Sequence, residues 1–237
     1  MSFINIIALF LTVAALALAI WQTLLAHRQT KDLSFISNAL STRYLGTFPE
    51  YFPQLNDLIK SAKHELLILS TIPAHGAFSD HEGWLKEKHA LEIALNHKVR
   101  IACIFADALK RQENRNNQFR DAIANWSAWR SDPTNATRLQ HIVEKFDDSG
   151  SIQELTVERF FNLLEKASIE ELKTTYRGAE VTEINSRPPL HMWVADGDKA
   201  IFVISTTRRS HIAQAFWTTD ARLINALVDM HQEYRAA

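Results

Sequence analysis

Leu190 to Arg209 reads LHMWVADGDKAIFVISTTRR, two runs rich in β-branched and aromatic residues on either side of Asp196-Gly197. That dipeptide suits a two-residue type I′ turn, because both central positions need φ > 0. The stretch therefore predicts a β-hairpin in which Ala195 pairs with Asp198, Trp193 with Ala200 and His191 with Phe202. Directly opposed residues share a face. His191, Trp193 and Asp198 are expected on one face, with Leu190, Met192 and Val194 on the other.

Upstream of the hairpin, Thr47-Phe48-Pro49-Glu50 matches a capping box and opens an amphipathic helix to Ala62, with Phe52, Leu55, Leu58 and Ile59 at helical spacing. Glu65 to Ile72 and Val99 to Phe105 are short, nearly continuous apolar runs, the pattern of strands covered on both faces. The helix predicted between them starts at a second box, Ser79 to Glu82. Strand, helix, strand implies a parallel crossover and a sheet flanked by helices. Asp107 to Phe146 reads as helices broken near Asp132-Pro133. Ser151 to Tyr176 reads as the longest helix of this region, with Gly178 as its C-terminal cap. Glu180 to Ile184 is a further strand. Pro188-Pro189 enforces an extended entry to the hairpin, and Thr219 or Asp220 caps a last helix.

A histidine two residues before a partner and seven before an aspartate resembles the H-x-K-x-x-x-x-D motif of the phospholipase D superfamily. His191 and Asp198 match; the lysine position holds Trp193. The Gly-Ser-x-Asn that usually follows the motif is replaced by Ser205-Thr206-Thr207-Arg208. The stretches Leu45 to Phe48, Ser70 to Ser79 and Ala215 to Asp220 extend the resemblance over roughly residues 43 to 237. It implies an α/β, phospholipase D-like sandwich with a mixed β-sheet flanked by helices. It also implies a phosphodiesterase or phosphatidyl transferase in which a histidine attacks phosphorus and two motifs meet in one site, here through a homodimer. No cofactor is implied.

Phe3 to Ala26 carries no charged side chain and would measure ~36 Å as a helix, enough for a hydrocarbon core of ~30 Å. A cleaved signal peptide wants a basic start and a shorter apolar stretch. The expected organisation is a transmembrane anchor at residues 1–27, a juxtamembrane tether at 28–42 and a phospholipase D-like domain at 43–237. Arg28, Lys31 and Arg43 follow the span and none precedes it, so the positive-inside rule keeps the domain in the cytoplasm. Cys103, the single cysteine, lies in an apolar run and excludes an intrachain disulfide.

Setting aside residues 1–31 removes Arg28 and Lys31 from the 26 basic side chains and none of the 27 acidic ones. The remainder is mildly acidic, which disfavours nucleic acid held mainly through phosphates. There is no Gly-rich phosphate loop, nucleophile elbow or HExxH. His75, His81 and His89 match no metal spacing, and no metal site is expected.

Each candidate residue has an ordinary alternative. His191 reads as a nucleophile or as a hydrogen-bonded strand histidine. Trp193 reads as packing, since an indole has one donor and no charge. Asp198 suits a turn for backbone reasons alone. Arg208 and Arg209 are candidates to hold phosphate in place of the lysine, or a solvated pair. Thr206 supplies a hydroxyl near them, and His75 sits on a loop after a strand, where sites in α/β folds gather. Two functions follow: a membrane-anchored phosphodiesterase acting on phospholipid or another phosphodiester, or a degenerate module that binds or scaffolds at the membrane.

Overall fold

The computed structural model describes residues 41–74, 76–147, 151–205 and 213–236. Arg43–Ala237 forms a compact unit. Its strands are β1 (Thr42–Thr47), β2 (Glu65–Ser70), β3 (Arg100–Ala106), β4 (Glu180–Ile184), β5 (His191–Ala195), β6 (Lys199–Ser205) and β7 (Ala213–Thr218). They make a 7-stranded sheet in the order β1-β7-β6-β5-β2-β3-β4. The β2, β3 and β4 strands run parallel, whereas β5 is antiparallel to both β2 and β6, and β6 to β7. The sheet is therefore mixed, as expected. The helices are α1 (Phe52–Ser61), α2 (His81–Asn96), α3 (Ala108–Gln118), α4 (Arg120–Ala124), α5 (Trp126–Ser131), α6 (Pro133–Phe146), α7 (Val157–Thr174) and α8 (Ala221–Ala236).

Alternation along the central strands divides the core. Leu66, Ile68, Ile101, Cys103, Trp193 and Ile201 pack with Leu55, Ile59 and Leu91 of α1 and α2. Leu67, Leu69, Ala102, Ile104, Met192 and Val194 pack with Ile224 and Leu227 of α8. Both faces are thus covered, which is why β2 and β3 read as continuous apolar runs. Each such fully buried side chain stabilises by roughly 1.5–3 kcal/mol. A separate aromatic-rich core lies in the helices inserted between β3 and β4, where Leu139, Ile142, Phe160 and Leu163 close on Phe78 and Trp84. Cys103 is free and buried, and burial pushes its thiol well up.

The hairpin differs from expectation by one residue. Asp196 (φ 53) and Gly197 (φ 68) adopt the left-handed conformations that a type I′ turn needs, and Asp198 N–H donates to Ala195 O at 3.1 Å. Yet Ala195 pairs with Lys199, Trp193 with Ile201 and His191 with Val203. Asp198 is an additional residue on the second strand's side and is exposed. His191 and Trp193 keep their common face; Asp198 is not part of it.

The cause is Asp196. Its carboxylate accepts from the backbone N–H groups of Lys63, His64 and Glu65, at 2.9, 2.8 and 2.9 Å, which pins the turn to the start of β2. Burial alone would raise the carboxyl's pKa, but these donors outweigh it and hold it below the usual value. Asp196→Asn keeps the size and the tolerance of positive φ while losing the charge, and is expected to cost about 1–2 kcal/mol. A group whose folded pKa is lowered contributes stability above its unfolded value near ~3.9 and loses it as pH falls through the folded one. The gap in Tm between wild type and Asp196→Asn is therefore expected to hold constant from neutral pH to about 5 and to close below about 4; a gap that widens in acid would refute this role.

The strand β1 lies beside β7 at the sheet edge. Three expected helix starts are corrected. The Thr47–Glu50 box is a turn ahead of α1, with Thr47 N–H donating to Glu50 Oε2 at 2.8 Å; the helix begins at Phe52 behind Pro49. The other two helices are capped elsewhere. Asp80, not Ser79, accepts from Gly83 N–H at the start of α2. Thr156, not Ser151, caps α7, which ends at Thr174 before Gly178 is reached. No helix among the described residues is long and apolar enough to cross a membrane; the apolar run from Phe3 to Ala26 lies outside them.

Candidate active site

His191 opens β5 and Ser70 ends β2. Because Leu69 pairs with Met192, the next antiparallel pair sets Ser70 opposite His191, on one face of the sheet. Ser70 Oγ lies 2.8 Å from His191 Nδ1. Ser70 is buried, and its hydroxyl also lies 3.3 Å from the carbonyl oxygen of Ile72, to which it donates. A half-buried imidazole is thus held at one nitrogen by a hydroxyl that the sheet fixes.

The imidazole borders a cavity of about 420 Å³. One side is the sheet and the segment after β2, with Ile72, Ala74 and Phe78. The other is the end of α3 and its continuation into α4, with Asn114, Arg115, Asn117, Gln118 and Arg120, backed by Ser168 of α7. Arg187, just ahead of β5, completes the cationic part.

Arg115 is only 1% exposed. Its Nη1 lies 2.7 Å from Glu165 Oε2, and its Nη2 donates to Ser168 Oγ at 3.1 Å. Glu165 also receives Arg111 Nη2 at 2.7 Å. Burial alone would raise the Glu165 carboxyl, but the two guanidinium groups outweigh it and hold it below the ordinary range. The same burial lowers the Arg115 pKa, and the nearby Arg111 charge adds to the effect.

The expected site residues are distributed as follows. His191 lines the cavity. Asp198 sits in the exposed turn, about 13 Å of strand away at ~3.3 Å per residue, and is not a lining residue. His75, Thr206, Arg208 and Arg209 lie outside the described residues. Trp193, at the motif's lysine position, is 1% exposed and packs in the core with its ring 6.5 Å from that of Tyr51. It belongs to the buried core cluster with Tyr51, Ile68 and Ile201, so an ammonium at 193 would be desolvated there. Ser70 and the α3 residues escaped the reading of the sequence. The only available signals were a serine closing the run ELLILS and a helix, RQENRNNQ, whose polar residues leave no apolar stripe.

Neither a protein-family model nor a curated protein matches the chain. Among solved structures it is similar to TrmBL2, described as an archaeal chromatin protein with a novel mode of DNA binding. That match has 11% identity and a TM-score of 0.42, and covers 100% of this chain and 70% of that one. It is also similar to Nuc, a phospholipase D family member from Salmonella typhimurium, at 11% identity and a TM-score of 0.41, covering 83% of this chain and 94% of that one. A third is the phosphatidylserine synthase of Haemophilus influenzae, at 12% identity and a TM-score of 0.38, covering 81% and 36%. The superfamily that the hairpin motif resembles is therefore present among the structural neighbours.

Proposed function

We propose that this protein is a phosphodiesterase or phosphatidyl transferase of the histidine-nucleophile type, held at a membrane by the apolar run at residues 3–26. The observation that carries the reading is the Ser70–His191 contact at the border of a cavity lined by arginine. With the Ser70 hydroxyl donating to the Ile72 carbonyl, its oxygen accepts from Nδ1–H of His191, the tautomer that places the lone pair on Nε2. Nε2 attacks phosphorus: a P–N bond forms, the P–O bond to the leaving alcohol breaks, and the alkoxide takes a proton from His191 of a second copy. Water or an acceptor alcohol then gives its proton to that imidazole and displaces the first from phosphorus. Arginine at the cavity offsets the charge that develops on the phosphoryl oxygens.

The test is to incubate the full chain with a phosphodiester labelled at phosphorus and to quench in base, where phosphohistidine survives. Label at His191 supports the mechanism. Tight binding of the ester with no label at any enzyme concentration rules it out. That outcome would favour the second reading, a domain that binds phosphodiesters without turning them over, which draws its support from the buried indole of Trp193 where the superfamily motif has its lysine.

A further inference from the structure

We infer that the cavity selects phosphodiesters whose alcohol is an uncharged polyol, of the glycerol type, and rejects those carrying an ammonium group. This rests on the reading of the cavity as a phosphodiester site and adds the class of its second ester group. No carboxylate is among the described residues that line the cavity. Glu165, not itself a lining residue, offsets the charge of Arg115. Arg120 and Arg187 remain, both permanently cationic. A quaternary or primary ammonium entering this space meets the same sign of charge and finds no counter-ion among the described lining residues.

Aromatic faces are the other means of holding an ammonium, and here they are taken by packing. Phe119 has its ring against Phe78, Trp129 and Phe160, at centroid distances of 5.7, 6.0 and 5.2 Å. Phe48 sits against Phe52 at 5.4 Å.

What the cavity does offer is carboxamide. Asn114, Asn117 and Gln118 present three primary amides from about one turn of α3, each with two donors and an acceptor. Arg120 Nη2 lies 3.4 Å from Asn117 Oδ1 and donates to it, which turns the amide's own donors away from the arginine. Neutral groups that both give and accept suit hydroxyl groups, which do the same, while the arginines take the anionic phosphate between the two esters.

The experiment measures binding of glycerophosphoglycerol and glycerophosphocholine to the full chain in non-ionic detergent, by calorimetry. The glycerol ester is expected to bind at least about tenfold more tightly, the upper scale of one net hydrogen bond. Gln118→Glu, at an exposed position where folding is not at stake, is expected to shrink or invert that ratio; Asn117→Asp serves as a second variant. Competition by phosphatidylglycerol vesicles at lower phosphodiester concentration would identify a lipid as the source of the headgroup, and absence of competition the free ester; either agrees with the inference. Equal binding, a preference for the choline ester, or a ratio unmoved by both variants overturns it and leaves the phosphodiester site standing. Binding of neither ester overturns that site as well.

Discussion

Alanine at position 191 is expected to reduce turnover of any phosphodiester substrate by at least ~10⁴-fold, with the fold intact. Removing a covalent nucleophile typically costs more than removing any stabilising donor does. His191 is half-buried at a strand end, so loss of the ring costs little packing. Asn at 191 is expected to fail equally, because it fills space and bonds to Ser70 without forming a P–N intermediate. Ser70→Ala separates orientation from attack. It frees Nδ1 from its 2.8 Å partner and is expected to lower kcat by about ten- to a hundredfold with KM little changed, since the loss falls on the transition state. A His191→Ala enzyme that retained more than a hundredth of wild-type kcat would remove the histidine from the chemistry.

The second large effect is on stability. Arg111 is buried and joins three elements: it donates to the Ala106 carbonyl oxygen at the end of β3 at 2.7 Å, to Glu165 of α7 at 2.7 Å, and to Glu183 of β4. Removing the buried guanidinium takes a partner from the partly exposed carboxylates of Glu165 and Glu183, at a cost of about 2–3 kcal/mol. Arg111→Ala is expected to lose that much in urea unfolding, whereas Lys110→Ala next to it, whose pairing with Glu113 is solvent-exposed, is expected to lose well under ~1 kcal/mol. The loss also has a pH signature. With Arg111 gone, Glu165 keeps only Arg115, so its carboxyl rises toward the ordinary range. The acid limb of the stability curve, where wild type loses the contribution of Glu165 as pH falls, is expected to flatten in the variant. A cost below ~1 kcal/mol would place the network with the surface pairs.

Much of this architecture is legible in the chain. ELLILS and VRIACIF announce buried parallel strands because covered faces need no alternation, and Glu180 to Ile184 is found where expected. Asp196-Gly197 marks its turn for reasons of backbone sterics alone. Its register does not follow from the dipeptide, because two- and three-residue loops both use it; the choice is made by the amides of residues 63–65, more than 130 positions away. Helix caps fail for a related reason. Ser-x-x-Glu and Thr-x-x-Glu recur by chance, and packing decides which hydroxyl or carboxylate meets an orphan N–H, as Asp80 and Thr156 do. The strand β1 was not identified because its half-exposed TRYLGT pattern lacks a clear alternation until β7 is there to pair with it. Of the residues that line the cavity, His191 was singled out by its spacing. Ser70, Arg115 and the amides of α3 were not, because what unites them is a cavity between segments far apart in sequence.

The helices from Ala108 to Thr174 lie between β3 and β4 in the chain, and they share an aromatic-rich core with Phe78 and Trp84. On the proposed function, the attacking imidazole therefore belongs to the sheet, and the amides that would meet the leaving alcohol belong to the end of α3. Changes to the end of α3 leave the β2–β5 pairing that aims His191 untouched, and insertions within the helices meet the strands covalently only near Ala106 and Glu180. On the same proposal, substitutions at the end of α3 are expected to change which alcohol is bound while the Ser70–His191 contact that orients the imidazole is kept.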